Sequence, residues 1–414
     1  MRCIIKPMKK GTRCTICTGC GRCFGENEKE IKVLSVNGAL NLNAQGFKKK
    51  MICADIGTTT IAMVLLDEDL NVLDSFSKVN PQGKYGADVI SRIKASSGAG
   101  GSDAASDMKE LVRDVLKEGV CKFARVLSDA DKANTQNATP DGDSKLFPEM
   151  YIAANTTMVY LLMGYDTTEL GSAPFKASHT EDEEFELDAG DVKVNCHVLP
   201  GFSAFVGSDI YAGILASGLT ESEDYTLLCD LGTNGEIALG NKDKLYVTAT
   251  AAGPAFEGGP LKGIWGADIV KIASYLLKEG KMDNTGLLAD PYFEEGISAG
   301  NVFITQDAIR ALQLAKAAMS AGIKTITEST GISYSDIKNC IIAGGFGVFL
   351  DPADASYIKL LPSELLNVTR PGGNTALTGC VSYALGKRIN IKAGVINLAS
   401  APGFNDLYMN SMDF

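Results

Sequence analysis

The sequence of 414 residues has little of several features that mark particular classes of protein. It contains two histidines and one tryptophan, and aromatic residues make up 7% of it. No apolar run approaches the roughly 18–20 residues that a membrane-spanning helix needs. The first ten residues carry basic side chains but lack the apolar segment of a signal peptide. These absences argue against a membrane protein and against a secreted one.

Basic residues are fewer than acidic ones. The chain has 39 Lys and Arg against 50 Asp and Glu, which gives a net charge of −11. This balance argues against nucleic acid as the main partner. Charged residues make up 21% of the chain and hydrophobic ones 45%, as in a globular protein, and the length suits two or three domains.

Charge and cysteine are unevenly distributed along the chain. Residues 1–50 hold eleven basic and three acidic side chains, a net charge of +8, so the remainder carries −19. Five of the 11 cysteines lie in this head: Cys3, Cys14, Cys17, Cys20 and Cys23. An odd number of mostly isolated cysteines fits a reducing compartment, which predicts a cytoplasmic protein.

Four of the head cysteines follow one another at two-residue spacings, from Cys14 through Cys17 and Cys20 to Cys23. Such spacings let a short loop wrap a compact cluster, as in cubane ferredoxins, so they favour a [4Fe–4S] site. Zinc is the alternative, although zinc-binding pairs usually have a longer spacer between them. Cys3 could replace Cys23, since a fourth cluster ligand often comes from elsewhere in the chain.

The remainder of the chain is of the α/β class, because strand and helix patterns alternate along it. Apolar residues at helical spacing predict helices around 108–116 and from Asp307 to Met319. Residues 128–146 are polar and are interpreted as a surface excursion. Before this part, an Asn37-Gly38 turn predicts a β-hairpin within residues 25–50.

One internal repeat stands out. Cys53-Ala-Asp55-Ile-Gly57-Thr58 is echoed 175 residues later by Leu228-Cys-Asp230-Leu-Gly232-Thr233. Each copy is interpreted as a strand, a tight turn and a second strand. The duplication predicts two related lobes that face each other.

The repeated turns have the composition of a phosphate-binding site. Glycine lets backbone N–H groups approach an anion closely, and an aspartate at a strand end can hold Mg²⁺ directly or through water. The alternative is that each is an ordinary tight turn without a ligand. The presence of two copies favours the phosphate-binding interpretation. The candidate residues are Asp55 and Asp230 for the metal, Gly57 and Gly232 for the backbone, and Thr58, Thr59, Thr60 and Thr233 as hydroxyl donors.

A third glycine motif follows an apolar strand, as Gly344-Gly345-Phe346-Gly347. It suits an adenosine site, where backbone packs flat against base and ribose. The three motifs in this order resemble the ASKHA superfamily, which comprises acetate and sugar kinases, Hsp70 and actin. That resemblance implies a two-lobed α/β fold closing on ATP, with lobes at 51–220 and 221–414 behind an iron–sulfur head at 1–24 and a hairpin and linker at 25–50.

A longer series of motifs narrows the resemblance. Residues 51–414 are similar, motif by motif, to the reductive activators of corrinoid-dependent enzymes. The further motifs that carry this similarity are Asn80-Pro-Gln82, Gly86-Ala-Asp88, Asn155-Thr156, Pro200-Gly201, Asp230-Leu-Gly-Thr-Asn-Gly-Glu236 and Ala252-Gly-Pro-Ala-Phe-Glu-Gly258.

The resemblance implies an ATPase that returns an oxidised cob(II)alamin protein to cob(I)alamin, with the electron supplied by an iron–sulfur cluster. It implies as partners a corrinoid protein of a methyltransferase system and a low-potential donor such as ferredoxin or flavodoxin. A homodimer is one option for the assembly.

The resemblance also implies roles for individual residues. Asp55 and Asp230 would organise metal and water, and Glu236 and Glu257 are candidates for orienting the attacking water. For Glu257 the alternative is a structural carboxylate that caps a turn. The nucleotide-binding residues would be Gly57, Thr58, Thr59, Thr60, Gly232, Thr233, Asn234, Gly235, Gly253, Gly344, Gly345, Phe346 and Gly347.

The head departs from the best-known family pattern, in which a plant-type [2Fe–2S] domain and a middle domain precede the ATPase. Three alternative functions therefore stay open. One is an ATP-dependent electron activator of another low-potential enzyme, another is a small-molecule kinase of the ASKHA class, and the last is a zinc-bearing interaction protein. The isolated Cys53, Cys229 and Cys340 are predicted core residues, and neither His179 nor His197 is interpreted as a ligand or base.

Overall fold

The computed structural model describes residues 49–97, 101–134, 147–257, 266–299, 302–344 and 350–414. The five head cysteines and the hairpin expected within residues 25–50 lie outside these ranges. The strands are β1 Met51–Ile56, β2 Thr60–Leu66, β3 Val72–Val79, β4 Glu149–Ala154, β5 Glu183–Asp188, β6 Lys193–Val198, β7 Tyr225–Leu231, β8 Gly235–Gly240, β9 Leu245–Thr250, β10 Ile297–Ala299, β11 Val302–Ile304, β12 Ile337–Ala343, β13 Thr369–Gly373 and β14 Ala393–Val395. The α-helices are α1 Val89–Ser96, α2 Gly101–Asn134, α3 Thr156–Met163, α4 Thr168–Gly171, α5 Ser208–Ser217, α6 Gly266–Lys278, α7 Tyr292–Glu295, α8 Gln306–Thr330, α9 Pro352–Tyr357, α10 Thr375–Ala384 and α11 Phe404–Asn410.

The chain divides into two compact units. The N-terminal unit contains the described residues up to Ala216 together with Ala376–Ile389. The C-terminal unit contains Ser217–Thr375 and Asn390–Phe414. Each unit has its own sheet and its own apolar core.

The sheet of the N-terminal unit has six strands in the order β3-β2-β1-β4-β6-β5. β1, β2 and β3 form an antiparallel meander, whereas β4 runs parallel to β1 and β6 parallel to β4. The edge strand β5 includes part of the acidic segment 181–186, in which Glu181, Asp182, Glu184 and Glu186 are exposed. One face of β1, with Ile52, Ala54 and Ile56, belongs to the same core as the apolar stripe of α2.

The sheet of the C-terminal unit has the order β13-β12-β7-β8-β9-β14. Its core combines β7 with the apolar side of α8, where Ile309, Leu312 and Met319 are fully buried as their helical spacing predicts. α8 begins after Thr305, whose side chain caps the Ala308 N–H, and ends at Gly331 in a left-handed conformation.

The two sheets share one pattern of strand pairing. In both, a three-stranded antiparallel meander is followed by two strands that pair in parallel next to its first strand. β1, β2, β3, β4 and β6 thus correspond to β7, β8, β9, β12 and β13. The repeat predicted from two turns therefore extends over five strands of each sheet.

One expectation about an element is wrong. The polar segment that begins at residue 128 was expected to leave the fold as a surface excursion, but residues 128–134 continue α2. The segment holds aspartate, alanine and lysine with neither proline nor glycine, so nothing in it stops a helix already nucleated upstream. Residues 135–146 lie outside the described ranges. In the part of the chain that the structure describes, no helix has both the length and the apolar character needed to cross a membrane.

Candidate functional site

The first repeat forms a tight turn between β1 and β2. The Gly57 N–H donates to the Thr60 carbonyl at 2.9 Å, and a Cβ at residue 57 would lie 2.9 Å from the same oxygen. A larger residue would push the strands apart, which explains the glycine. Thr58 is buried, whereas Thr59 and Thr60 are exposed. The turn therefore offers hydroxyl groups to an anion at its surface.

Asn80 holds the carbonyl side of this turn. Its Nδ2 donates to the Gly57 carbonyl at 2.9 Å, and its backbone N–H donates to the Thr59 carbonyl at 2.8 Å. Asn80 is almost fully buried. Both carbonyl oxygens therefore accept hydrogen bonds within the protein. Their partial negative charge is compensated there and does not repel an approaching phosphate.

A buried arginine completes this support. Arg92, 1% exposed, donates from Nη2 to the Thr58 carbonyl at 2.5 Å and from Nε to the Gly86 carbonyl at 3.0 Å. Its Nη1 reaches the Gln82 Oε1 at 3.2 Å. Sequence reasoning did not identify Arg92, since it belongs to no recognised motif. The guanidinium brings a positive charge next to the first turn.

Asn155 supports the turn from β4. Its side chain caps α3 by accepting from the Met158 N–H at 3.0 Å, and its Nδ2 donates to the Thr58 Oγ1 at 3.0 Å. Because the Thr58 hydroxyl accepts this bond, its own proton remains available for an outside acceptor such as a phosphate oxygen.

A further carboxylate, which sequence reasoning missed, lies at the same edge of the N-terminal sheet. Ala154 at the end of β4 pairs with Ile56, and the Ser208 Oγ bonds both its N–H and its carbonyl at 2.9 Å. Asp209 follows directly, and burial raises the pKa of its carboxyl to about 6. The available signal was Gly207-Ser208-Asp209 at the start of a helix, where Gly207 leaves no room for a Cβ against Ala154 and Asn155.

The second repeat forms the matching turn of the C-terminal unit. Gly232 N–H donates to the Asn234 carbonyl at 3.0 Å, and Gly253 N–H donates to the Thr233 carbonyl at 2.8 Å. Asp230 lies directly opposite Glu236 across the β7–β8 ladder, so both carboxylates are on one face of the sheet. In the first repeat the residue opposite Asp55 is Ala62. Only the second turn therefore pairs two carboxylates.

The third glycine motif begins against the second turn. β12 pairs in parallel with β7, with Ala343 opposite Asp230, and Gly344 follows with a φ of 94°. A Cβ at residue 344 would lie 2.6 Å from the Leu231 carbonyl and 2.8 Å from the Asp230 Oδ1. The structure thus brings together motifs that are more than a hundred residues apart in sequence.

The predicted site residues fall into two groups and a remainder. The N-terminal unit holds Asp55, Gly57, Thr58, Thr59 and Thr60, whereas the C-terminal unit holds Asp230, Gly232, Thr233, Asn234, Gly235, Glu236, Gly253 and Gly344. Glu257 ends a 3-10 helix, Pro254–Glu257, and its side chain lies outside the described part. Gly345, Phe346, Gly347, Cys3, Cys14, Cys17, Cys20 and Cys23 also lie outside it.

Metal-ligating residue types are scattered among the described residues. In those ranges no three His, Cys, Asp or Glu side chains come together as a metal-binding group. Cys53, Cys229 and Cys340 are fully buried, which confirms them as core residues. His179 and His197 stack on tyrosine rings, with the centroids 3.7 and 4.9 Å apart.

Two family models match the chain. The RACo middle region matches residues 51–222, and the C-terminal ASKHA domain of RACo matches residues 224–268 and 260–414. Together these matches extend over nearly everything that follows the head.

Two curated proteins are similar in sequence. The corrinoid activation enzyme RamQ of Eubacterium limosum is 30% identical over 437 residues, which cover 88% of this chain and 70% of that protein. The [Co(II) methylated amine-specific corrinoid protein] reductase of Methanosarcina barkeri is 22% identical over 290 residues, 53% of this chain and 52% of the relative.

A solved structure was compared with this chain over most of its length. It is a reductive activator for a corrinoid, iron–sulfur protein, which matches with a TM-score of 0.75 and 26% identity. The match covers 89% of this chain and 66% of that one, so about a third of the relative's own length has no counterpart in the match.

Proposed function

We propose a function from the premise that the chain belongs to the RACo family, the reductive activators of corrinoid proteins. In this proposal the chain hydrolyses ATP and thereby enables one electron to pass to the cobalt of a partner corrinoid protein. The cobalt goes from cob(II)alamin to cob(I)alamin, and the electron comes from a low-potential donor such as a ferredoxin or flavodoxin.

The observation that carries the proposal is the junction of the second turn with Gly344. There a glycine backbone, a phosphate-type turn and two opposed carboxylates, Asp230 and Glu236, meet at the end of β7. A Cβ at residue 344 would collide with this turn, so the junction needs a glycine. Such a place suits a nucleotide whose phosphates need backbone donors and a metal nearby.

The first turn has the donor set for phosphate contacts of its own. The Thr58 hydroxyl keeps its proton for an outside acceptor, and Thr59 and Thr60 are exposed beside it. Arg92 adds positive charge next to the turn, which favours an anion there. We therefore assign phosphate contacts to residues 57–60 as well as to residues 232–235.

The residues present fit Mg²⁺ that arrives with the nucleotide. Mg²⁺ usually keeps several waters and takes one or two carboxylates plus phosphate oxygens, so a dedicated cage of three protein ligands is not required. In the C-terminal unit Asp230 would hold the ion or its waters, and in the N-terminal unit Asp55 is a carboxylate suited to the same task. When bound, the ion would neutralise charge that builds up on the phosphates during hydrolysis.

Glu236 is the stronger of the two glutamates proposed to orient water. It is 6% exposed and lies opposite Asp230, whereas Glu257 belongs to a short 3-10 helix after β9. A buried carboxylate on a strand can accept a hydrogen bond from a water molecule. This bond orients the water so that the lone pair of its oxygen points toward the phosphorus. Asp209 is proposed to serve the same purpose from the N-terminal unit.

The cysteine head is proposed to bind the redox group. Cys14, Cys17, Cys20 and Cys23, or Cys3 in place of Cys23, would hold a [4Fe–4S] cluster, which when bound would relay the electron from the donor. Zinc remains the alternative metal. The metal content of the purified chain decides between them.

The test is an anaerobic reduction assay on the full chain. Purified protein is analysed for iron and sulfide and then mixed with a corrinoid protein in the cob(II)alamin state and a reduced ferredoxin. Cob(I)alamin, followed by its absorption, is expected to form with ATP and not without it. Iron-free protein that binds zinc, or reduction that proceeds equally without ATP, would refute the proposal.

The same assay separates the other functions. An activator of a different low-potential enzyme would hydrolyse ATP and leave every corrinoid protein tested in the cob(II)alamin state. A small-molecule kinase would place phosphate on a sugar or an acyl acid, and free phosphate would not accumulate. Phosphorus NMR of the products distinguishes the two outcomes directly.

A further inference from the structure

Two phenylalanine rings lie exposed and in contact on the N-terminal unit. Phe175 and Phe205 are 36% and 45% exposed, and their ring centroids are 5.3 Å apart. Single exposed apolar side chains are ordinary, but adjoining aromatic rings are typical of interaction sites. We call these two residues the phenylalanine patch.

The backbone at Phe175 is strained. Its φ is +56°, a left-handed conformation that costs a residue with a Cβ free energy and that glycine or asparagine adopts more easily. A turn holds it there, since the Phe175 N–H donates to the Ser172 carbonyl at 2.7 Å. Strain of this kind is found where a side chain must be presented for function.

The loop that carries Phe205 is firmly built. Ser203 Oγ accepts from the N–H groups of Phe205 and Val206 at 3.3 and 3.2 Å, and the neighbouring Ala204 is buried in a small apolar cluster. An exposed ring on a fixed loop loses little conformational entropy when a partner covers it. The patch is therefore preorganised for binding.

The chain segment that carries Phe175 is acidic, and we call it the acidic surroundings of the patch. Residues 165–188 contain eight Asp and Glu and a single lysine, Lys176. This segment adjoins both rings, because Phe175 belongs to it and because the Gly201 N–H, in the loop of Phe205, donates to the Thr180 carbonyl at 2.8 Å. A protein that fits here has an apolar centre and a basic rim.

The patch is also linked to the first turn through hydrogen bonds. Asn155 bonds the Thr58 hydroxyl, and the next residue, Thr156, donates from Oγ1 to the Ser203 carbonyl at 2.6 Å. Ser203 in turn bonds the Phe205 N–H. A change at a phosphate contact thus has a continuous route to the patch within one unit.

We propose that the phenylalanine patch and its acidic surroundings form the docking surface for the corrinoid protein. The proposal rests on the proposed function, since that function requires a partner whose contact is sensitive to the nucleotide. The partner presents an apolar area bordered by Lys and Arg. Docking there places the partner at the end of the hydrogen-bond route that begins at Thr58.

The test measures affinity on the full chain. A purified corrinoid protein in the cob(II)alamin state, which the wild-type chain reduces, is titrated by calorimetry into wild type and into the variant F175N/F205A. Asparagine is chosen because it tolerates the left-handed backbone. The Kd is expected to rise by about tenfold or more, since central aromatic residues dominate interfaces. ATP hydrolysis without partner is expected to stay unchanged.

Phe293 provides the matched control. It is 41% exposed and lies in the C-terminal unit, and F293A is expected to keep the Kd within about twofold. The single variant F175N relieves backbone strain, so it provides a folded protein even if the double variant is unstable.

The acidic surroundings are tested by reversing a charge. E181K is expected to raise the Kd by about threefold and to reduce the dependence of binding on salt. E294K changes the net charge equally in the C-terminal unit and is expected to leave the Kd unchanged.

The outcomes separate this proposal from the proposed function. If wild type reduces the corrinoid protein and F175N/F205A binds it as tightly, the docking surface is wrong and the function stands. If wild type neither binds nor reduces any corrinoid protein, both are wrong. If the substitutions change the oligomeric state of the free chain in sedimentation, the patch joins copies of this chain and the docking proposal is wrong.

Discussion

Individual buried polar residues explain the shape of the first turn. Burying a guanidinium is costly unless its donors are satisfied, and Arg92 satisfies them partly with the Thr58 and Gly86 carbonyls. The sequence predicted the turn but not this support, because Arg92 is 34 residues from Thr58 and belongs to no motif. Contacts between residues so far apart in sequence can be identified only once the structure shows where the helices and strands lie.

Asp209 has an environment that conflicts with its charge. Its folded-state pKa of about 6 is above the ordinary value of 3.8, so the folded chain binds this proton more tightly than the unfolded chain. The folded state therefore loses stability as the pH rises from about 4 to about 6, and the loss is complete at neutral pH. A carboxylate kept at such a cost is typical of a functional site.

Replacing Asp209 by asparagine is expected to separate stability from activity. Asp209→Asn retains an acceptor for the Ile210 N–H, removes the buried charge and should raise the free energy of unfolding at pH 7 by up to about 3 kcal/mol. Urea unfolding between pH 4 and 7 measures this, and the stability loss over that interval should disappear. ATP hydrolysis should fall by about tenfold or more.

Asp69 offers the control for this substitution. It is an exposed carboxylate in the turn between β2 and β3, so Asp69→Asn should change neither stability nor ATP hydrolysis appreciably. An Asp209→Asn variant that keeps full activity would remove Asp209 from the site.

At the scale of elements, periodic patterns were sufficient for the main helices and the repeated hairpins. Met108, Val112 and Leu116 are buried on α2, and Ile309 and Leu312 on α8, as their spacing predicts. These predictions succeed because one-sided burial leaves a direct record in the sequence. Strand ends followed by Gly and Thr were equally informative.

The other duplicated strands could not be recognised as a repeat from the sequence. The correspondence between β4 and β12, and between β6 and β13, is mainly in pairing and direction, and it extends to only two identical residues in the first pair, Ile152-Ala153 and Ile342-Ala343. Many sequences satisfy the same buried strand, so duplicated strands diverge while their pairing persists. The end of α2 was mispredicted for a related reason, since polarity alone does not stop a helix.

The packing of α10 on α5 depends on one glycine. A Cβ at residue 379 would lie 2.0 Å from the Ala212 carbonyl oxygen. Gly379→Ala should therefore force the helices apart and lower the free energy of unfolding by about 1–3 kcal/mol, although alanine is the better helix former. Chemical denaturation followed by circular dichroism measures the change.

Gly83 is the matched glycine for this experiment. A Cβ there would meet nothing within 4 Å, so Gly83→Ala should alter stability by less than about 0.5 kcal/mol. Equal stability of the Gly379→Ala variant and the wild type would show that α5 and α10 are not held as closely as described.

On the scale of the whole molecule, duplication supplies two related turns that have diverged in chemistry. The C-terminal copy opposes Asp230 with Glu236, and the N-terminal copy opposes Asp55 with Ala62. We propose that the C-terminal copy contributes more of the hydrolytic chemistry. The N-terminal copy, linked to the phenylalanine patch, contributes more of the response to a partner.

Charge is also unevenly distributed over the molecule. The head carries +8 and the remainder of the chain −19, so two oppositely charged regions are present in one molecule. Composition predicted this asymmetry, whereas the hydrogen bond that joins the acidic segment 165–188 to the loop of Phe205 became visible only in the fold. Long-range attraction of this kind acts mainly on association rates and weakens with salt.

The coupling of ATP hydrolysis to cobalt reduction is tested by measuring ATP hydrolysis and cob(I)alamin formation together in one anaerobic reaction. Wild type, Asp230→Asn and Asp69→Asn are compared with a cob(II)alamin protein and a reduced donor. We expect Asp230→Asn to lose both activities together by about a hundredfold, whereas Asp69→Asn should keep both. Cob(I)alamin formation at the wild-type rate in Asp230→Asn, with ATP hydrolysis abolished, would contradict this coupling.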